Sequence, residues 1–413
     1  MSKRSALLGG LLLATCFLTW FLWWYLDRAP LVWSALLWAG VLLILFFARA
    51  GGERLSLWVN AAALLLAVAF AEGFLWIRQA TNPYLIPSGV TFEGSFTTPN
   101  YFFVMPEAVL GYRPRPGVSV QSIKKYFGKL VYDVHYTVGD DGLRVSPPVK
   151  DAPVGCILFF GDSFAWGEAV QDSETTAYQL GVLSGGTHRV YNFAFTGYGA
   201  HQMLAQLQRG IVKGTVACKP DEPVYAVYQA LPNNVGRVAG LGGWDKFGPR
   251  YVLLKDGRVM YKGRFDQGDA IADDRWYVKP GALRWLAKTQ VYQRTLGRAR
   301  STNGFDDERF FAVVERSART LEQQFPRAKL FVIVWEDLDE RRSDPGSLAW
   351  RMWEGLKQRG LDARLVKDTL PGYEQNRHRY HVENDAHPSA EAHRLLAAYL
   401  YEQLNGNVHS RND

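Results

Sequence analysis

Residues 156–163 read Cys-Ile-Leu-Phe-Phe-Gly-Asp-Ser. An unbroken apolar run closed by a glycine turn predicts a strand buried on both faces, as in a parallel sheet. Ser163 then stands at the carboxyl end of that strand, where open α/β sheets place their ligands. The residues that follow begin a helix, so backbone N–H groups and the positive end of the helix dipole point at the serine.

Working outward, further runs of the same kind occur at HRVYNFAF (188–195), PVYAVYQAL (223–231) and KLFVIVWE (329–336). Helical patterns lie between them, over 173–184, 200–213 and 307–324. A final amphipathic helix begins near Ser389, with Leu395, Leu396, Tyr399 and Leu400 on one face. Strands alternating with helices predict an α/β domain over 151–404 with a parallel sheet covered on both faces. Residues 236–305 break the rhythm. Their stretch YVLLKDGRVMYKGRF has Asp256-Gly257 between alternating residues, a hairpin signal, and reads as an insertion or lid. Upstream, the alternation in VYDVHYTV predicts a small β-rich subdomain over 106–148, after a linker from 79. The polar tail from 405 to 413 reads as disordered.

Three more segments place chemistry at strand ends. Asp385 and His387 lie two apart just before the last helix. His387 can take the Ser163 proton, and Asp385 can fix the imidazole tautomer and stabilise its charge. Asn192 to Gly199, after the second strand, offers a glycine whose bare N–H can approach an oxyanion. Asn233-Asn234, after the third strand, offers a side-chain amide to the same charge; preorganised donors of this kind contribute about 3–4 kcal/mol each. Each motif alone fits a turn or a helix cap, but together they place a nucleophile, donors and a base on successive strand-end loops. Among the other histidines, His393 reads as structural. His378, His381, Asp385 and His387 lack the one-face spacing of a metal site. No cofactor is called for.

Composition frames the rest. The chain has 413 residues, net charge +7 and 48% hydrophobic residues. No basic run interleaves with aromatics as a nucleic-acid surface requires. Three cysteines are present; Cys156 and Cys218 are open to pairing as a disulfide or to standing as buried thiols. Residues 7–26, 31–48 and 57–77 are apolar runs of about membrane-spanning length. Lys3, Arg4, Arg49 and Arg54 orient them with the N-terminus cytoplasmic. This predicts a three-helix anchor over 1–78 in a bacterial inner membrane, with the remainder periplasmic or extracellular. Glu72 reads as an acid near the interface that snorkels, and Asn60 as helix–helix glue.

The blocks GDSFAWGE (161–168), NFAFTGYG (192–199), LPNN (231–234) and NDAHPSAEAH (384–393) resemble those of the SGNH, or GDSL, hydrolase superfamily. The resemblance covers about 150–404. It implies a flavodoxin-like three-layer α/β/α fold, an oxyanion hole of Ser163, Gly197 and Asn233, and a triad completed by Asp385 and His387. Gly199 and Asn234 are the fallbacks for the two hole residues. The segment from LGYRPRPG to DDGLRV is similar to the β-rich region of some membrane-bound bacterial members. Two departures stand out. Only Ala386 separates Asp385 from His387 where the superfamily usually has two residues, a spacing similar to that of glycan O-acetyltransferase members. Asn234 stands where the third block usually has Asp.

These readings define three expectations. The first is a serine esterase acting on O-acyl, above all O-acetyl, groups of a glycan or lipid. The second is an O-acetyltransferase modifying an extracellular or cell-wall polysaccharide. The third is a non-catalytic glycan-binding assembly subunit. The expected partners are the acylated glycan or lipid, the bilayer, and a membrane-embedded polysaccharide synthesis or export system.

Overall fold

The computed structural model describes residues 15–19, 34, 36–42, 55–81, 89–94, 104–242, 244–267, 304–336 and 346–409. The chain divides into two compact units, residues 1–85 with 275–301, and residues 86–274 with 302–413.

The first unit contains helix α1 (Leu55–Thr81). Among the described residues, no helix is long and apolar enough to cross a membrane. The three expected spans are therefore not supported. The third coincides with α1, whose apolar run is interrupted by Asn60 and Glu72, and the first two lie mostly outside the described residues. Glu72 is only 1% exposed, so its carboxyl is enclosed by protein rather than reaching outward to an interface.

The second unit opens with the β-rich region. Strand β1 (Val90–Glu93) precedes the hairpin of β2 (Val104–Glu107) and β3 (Gly111–Pro114). The longer hairpin of β4 (Val118–Tyr126) and β5 (Lys129–Val138) pairs with β1 in the order β1-β4-β5. Its two-residue turn, Phe127-Gly128, has positive φ at both positions, which matches the right-handed twist of the flanking strands. The alternation read from VYDVHYTV appears as buried Tyr132, Val134, Tyr136 and Val138 between exposed Asp133 and His135.

The parallel sheet follows. Its strands are β6 (Gly155–Phe160), β7 (His188–Asn192) and β8 (Val224–Ala230), then, beyond the hairpin of β9 (Pro249–Leu253) and β10 (Val259–Arg264), β11 (Ala328–Val334) and β12 (Asp362–Leu365). The order is β12-β11-β8-β6-β7, and every pairing is parallel. Chain order therefore reads 2-1-3-4-5 across the sheet, the flavodoxin-like arrangement. Its switch point lies at the carboxyl end of β6, between β7 and β8.

All residues of β6 are buried because both faces are covered. Ile157 and Phe159 pack with Leu180 of α3 (Thr176–Leu183, after the short helix α2, Ser163–Trp166) and with Leu396 and Leu400 of the last helix. Leu158 and Phe160 pack on the other side with Leu204 of α4 (Ala200–Gln208), and with Phe310 and Val314 of the long helix Gly304–Gln324. Truncating any of these large side chains to alanine costs about 2–5 kcal/mol.

Some elements differ from the sequence reading. The helix expected over 200–213 is two, α4 and α5 (Ile211–Thr215), broken at Gly210 with φ +73°. Between β8 and β9 lies α6 (Asn234–Val238), and the long helix 304–324 is α7. Strand β12, after α8 (Leu348–Gln358), has two buried residues in four and no apolar run to announce it. The last helix, α9, spans Ala390–His409 and passes through the first half of the tail expected to be disordered. Cys156 and Cys218 form a disulfide that ties β6 to the segment entering β8.

Candidate active site

Gly161 leaves β6 with φ +141°, and a Cβ there would lie 2.8 Å from Gln229 O, so the turn into α2 requires glycine. Asp162 caps α2 by accepting the Phe164 N–H. Its other oxygen accepts from Arg237 Nη1 at 2.7 Å and Asn234 Nδ2 at 3.2 Å. Arg237 also donates to Tyr198 O. A single fully buried carboxylate thus joins the serine turn to the loops after β7 and β8. Ser163 is 7% exposed, and its Oγ makes no hydrogen bond with any described residue.

The loop before α9 presents the base. Asn384 has φ +58°, which turns the chain so that Asp385 and His387 face the same way. Asp385 Oδ1 accepts from His387 N at 2.8 Å and lies 2.5 Å from His387 Nδ1. His381 braces the loop, with Nδ1 2.8 Å from Ala386 O and Nε2 3.1 Å from the Tyr373 hydroxyl. The His387 ring packs 5.6 Å, centroid to centroid, from Phe164, the residue after the candidate nucleophile. The structure thus brings the β6 turn and the Asp385-His387 loop together. His387 Nε2 does not bond Ser163 in this state; it lies 3.6 Å from Glu168 Oε2. Catalytic hydrogen bonds are often long or absent without substrate.

The charges explain the protonation states. Burial alone would lower the His387 pKa, but the carboxylates of Glu168, Asp385 and Asp162 outweigh it and lift the imidazole to about 9. Burial likewise works to raise the Asp385 carboxyl, yet the His387 imidazolium and the Lys124 ammonium hold it well below the usual carboxylate range. Lys124, from β4, sits 2.5 Å from Asp385 Oδ2.

The donor loops are distinguished by what their groups already bond. The Gly199 N–H donates to Gln202 Oε1, which fixes the start of α4. Gln202 in turn donates to Asp245, which also bonds His201 in a buried knot. The Gly197 N–H has no acceptor among the described residues. Gly197 adopts φ +80°, and a Cβ would fall 2.6 Å from the Tyr112 hydroxyl and 2.7 Å from Trp244 Nε1. Asn234 is fully buried: its carbonyl accepts from the Tyr228 hydroxyl and Leu231 N, and its amide donates to Asp162. An aspartate could accept the first two but not donate the third, which accounts for asparagine at this position. Asn233 is exposed; its Oδ1 accepts a long bond from Asn234 Nδ2 at 3.5 Å, and its NH2 has no acceptor among the described residues. Of the candidate donors on these two loops, the Gly197 N–H and the Asn233 side-chain NH2 are the ones without an acceptor among the described residues.

Five residues at the site carry no mark in the sequence reading. Glu168, within the GDSFAWGE block, receives a hydrogen bond from Thr196 Oγ1 at 3.0 Å. Arg144 lies buried under the loop after α2 and donates to Trp166 O, Gly167 O and Val170 O. Arg237 and Lys124 bond the two aspartates, as above. Tyr136 adds a bond from the Ala169 N–H to its hydroxyl. The β-rich region is therefore a wall of the site, since Lys124, Tyr136 and Arg144 all come from it or its exit. Among the described residues, no group of three His, Cys, Asp or Glu side chains is placed to hold a metal ion.

The 2-1-3-4-5 sheet order, the serine turn at the switch point and the Asp-His loop before the last helix are the arrangement that the resemblance to SGNH hydrolases implied for the fold. No family model matches the chain, and no curated protein matches it. Solved structures similar to it include the psychrotrophic esterase EstA from a Pseudoalteromonas species, at 10% identity, covering 62% of this chain and 99% of that one with a TM-score of 0.34. An extracellular lipase from Streptomyces rimosus is similar at 13% identity, covering 60% and 99%, with a TM-score of 0.31. A carbohydrate esterase family 2 enzyme of Corynascus thermopiles (Myceliophthora fergusii) is similar at 13% identity, covering 70% and 77%, with a TM-score of 0.32.

Proposed function

We propose that this protein is an extracytoplasmic serine esterase that removes O-acyl, above all O-acetyl, groups from a glycan through an acyl-enzyme. The observation that carries the reading is the Asp385–His387 pair set against the turn that presents Ser163. Ser163 Oγ attacks the ester carbonyl while His387 Nε2 takes its proton. The oxyanion is met by the N–H groups of Ser163 and Gly197 and the amide of Asn233. His387 then protonates the departing sugar hydroxyl, and water resolves the acyl-enzyme.

The preference for a glycan is supported by Trp244. Its indole N–H lies 3.3 Å from Gly197 O, and its ring is 53% exposed beside the donor loop. An exposed, anchored aromatic face there suits the apolar C–H face of a sugar ring. The disulfide supports a location outside the cytoplasm, because such bonds persist in oxidising compartments. Attachment at a membrane rests on the composition of the apolar runs 7–26 and 31–48 alone, and a membrane-embedded polysaccharide synthesis or export system is the partner such placement favours.

The transferase reading draws on the short Asp-x-His spacing, with a second sugar hydroxyl replacing water. Acetate release from an acetylated oligosaccharide by the full chain, beside Ser163→Ala and with free oligosaccharide as competing acceptor, tests the proposal. Release that is lost in Ser163→Ala and not diverted to the free sugar supports the esterase. Equal release by both proteins overturns it, and diversion to sugar replaces it with the transferase.

A further inference from the structure

We propose that Glu168 positions the water that resolves the acyl-enzyme, and so commits the intermediate to hydrolysis rather than to transfer. The inference rests on the acyl-enzyme reading above. Its starting point is geometric: Glu168 Oε2 lies 3.6 Å from His387 Nε2, the atom that must take a proton in the second half-reaction. The carboxylate is only 9% exposed, and Thr196 Oγ1 holds it in place beside Gly197.

Before substrate binds, Glu168 and Asp385 bracket an imidazolium. Once the leaving alcohol has taken the His387 proton, the imidazole is neutral and its attraction for Glu168 falls. Two acceptors then face one small space, the Nε2 lone pair and the carboxylate. A water has two hydrogens and satisfies both. With hydrogen bonds of about 2.8 Å and a near-tetrahedral angle, its acceptors lie about 4.4 Å apart, so the pair has only to open by under about 1 Å. A sugar hydroxyl has one hydrogen. Bonded to Nε2, it turns oxygen lone pairs towards Glu168, leaving a poorly exposed carboxylate facing an acceptor, which is unfavourable.

The step balances without any further reactant. The water oxygen attacks the acyl carbon, one O–H proton passes to His387 Nε2, and the other hydrogen stays on the oxygen, bonded to Glu168. Collapse breaks the acyl–Oγ bond, and Ser163 Oγ regains its proton from His387. The product leaves as the carboxylic acid and ionises in solvent. Glu168 is a positioning residue here, because it orients the nucleophile and accepts no proton.

The test separates the two half-reactions. Rapid mixing of the full chain with p-nitrophenyl acetate reads acylation as a p-nitrophenol burst and deacylation as the following steady rate. Glycerol as added acceptor reads the partition between acetate and acetylglycerol. All are measured on the alkaline plateau of each protein, where His387 is neutral. Glu168→Gln keeps a burst of about one product per enzyme. Its steady rate falls by about 10- to 100-fold, the loss of one hydrogen bond to a charged acceptor, and its acetylglycerol fraction rises. Glu168→Asp restores part of the wild-type partition. Burst and steady rates lowered by the same factor in Glu168→Gln, with an unchanged partition, overturn the inference alone. No burst in the folded wild type overturns the acyl-enzyme reading and the inference with it.

Discussion

Lys124 Nζ lies 2.5 Å from Asp385 Oδ2, across 261 positions of sequence. The lysine side chain is 13% exposed and the aspartate 3%, so this is an enclosed charge pair rather than a surface one. It makes β4, far from the Asp385-His387 loop in sequence, part of the machinery that orients the base. Lys124→Met leaves the Asp385 carboxylate short of a partner, and kcat/KM falls by about 10-fold or more. Removing a positive charge also leaves the imidazolium better stabilised, so the pH midpoint of kcat/KM moves upward. An unchanged rate and midpoint in a folded variant would show that the lysine is incidental.

The pH dependence follows from His387. Its pKa is raised to about 9, so the imidazole is protonated at neutral pH and cannot accept the Ser163 proton. Activity is therefore low below that value and rises as pH increases through about 9. The groups facing the ring are Glu168, Asp385 and Asp162, and each raises the pKa against the effect of burial. Glu168→Gln removes the first of these and moves the midpoint downward, opposite in sign to Lys124→Met. The profile of kcat/KM, corrected for spontaneous ester hydrolysis, reads all three midpoints. A wild-type midpoint near 6.5, the ordinary histidine value, would mean the three carboxylates do not act on the ring as their placement requires.

Asn233 and Asn234 separate by what each loses. Asn233→Ala removes an exposed amide whose side-chain contact is one long bond from Asn234 at 3.5 Å, so kcat falls by about 100- to 1,000-fold with a nearly unchanged melting temperature. Asn234→Ala strands the Tyr228 hydroxyl and Leu231 N, leaves Asp162 Oδ2 with Arg237 as its remaining donor, and costs about 1–3 kcal/mol of stability per group left unpaired. Thermal unfolding beside steady-state kinetics distinguishes them. The reverse pattern would reassign the oxyanion donor to Asn234.

The Cys156–Cys218 bridge closes a loop with a sequence separation of 62. On the chain-entropy account a loop of that size contributes about 4 kcal/mol. The double substitution Cys156→Ala/Cys218→Ala lowers the melting temperature, and added reductant has the same effect on the wild type but none on the double variant. A reductant-insensitive wild type would show that the thiols are not joined.

Most of the sheet was legible because both of its faces are buried. Burial on two sides forces continuous apolar runs, which β6, β8 and the second half of β11 carry, whereas the edge strand β7 has only Val190 and Asn192 buried and was marked by the apolar residues that follow it. Strand β12 was not legible: with Asp362 and Arg364 outside and only Ala363 and Leu365 buried, it is too short and too polar to stand out. Gly210 breaks the helix expected over 200–213 through its backbone conformation, which periodicity does not register. The proposed site residues Ser163, Asp385, His387, Gly197 and Asn233 stand out in the sequence through local spacing at strand ends, and the structure sets the Asp385-His387 loop against the turn at Ser163. The choices of Gly197 over Gly199 and Asn233 over Asn234 needed the hydrogen bonds that already occupy the alternatives. Lys124 had no signal, because a lysine in an amphipathic hairpin looks like any solvated surface charge until the fold sets it against Asp385. Glu168 was visible as a residue but not as a role, since its effect depends on where the His387 ring points.

The central claim is that Ser163 is the nucleophile and His387 its base. Its most direct test is incubation of the full chain at about pH 9, where the imidazole begins to lose its proton, with a fluorophosphonate ester, followed by intact-mass measurement and peptide mapping. The account predicts one adduct per chain, on the peptide holding Ser163, absent in Ser163→Ala and much slower to form in His387→Ala. An adduct on another residue, or none on folded protein, would contradict it.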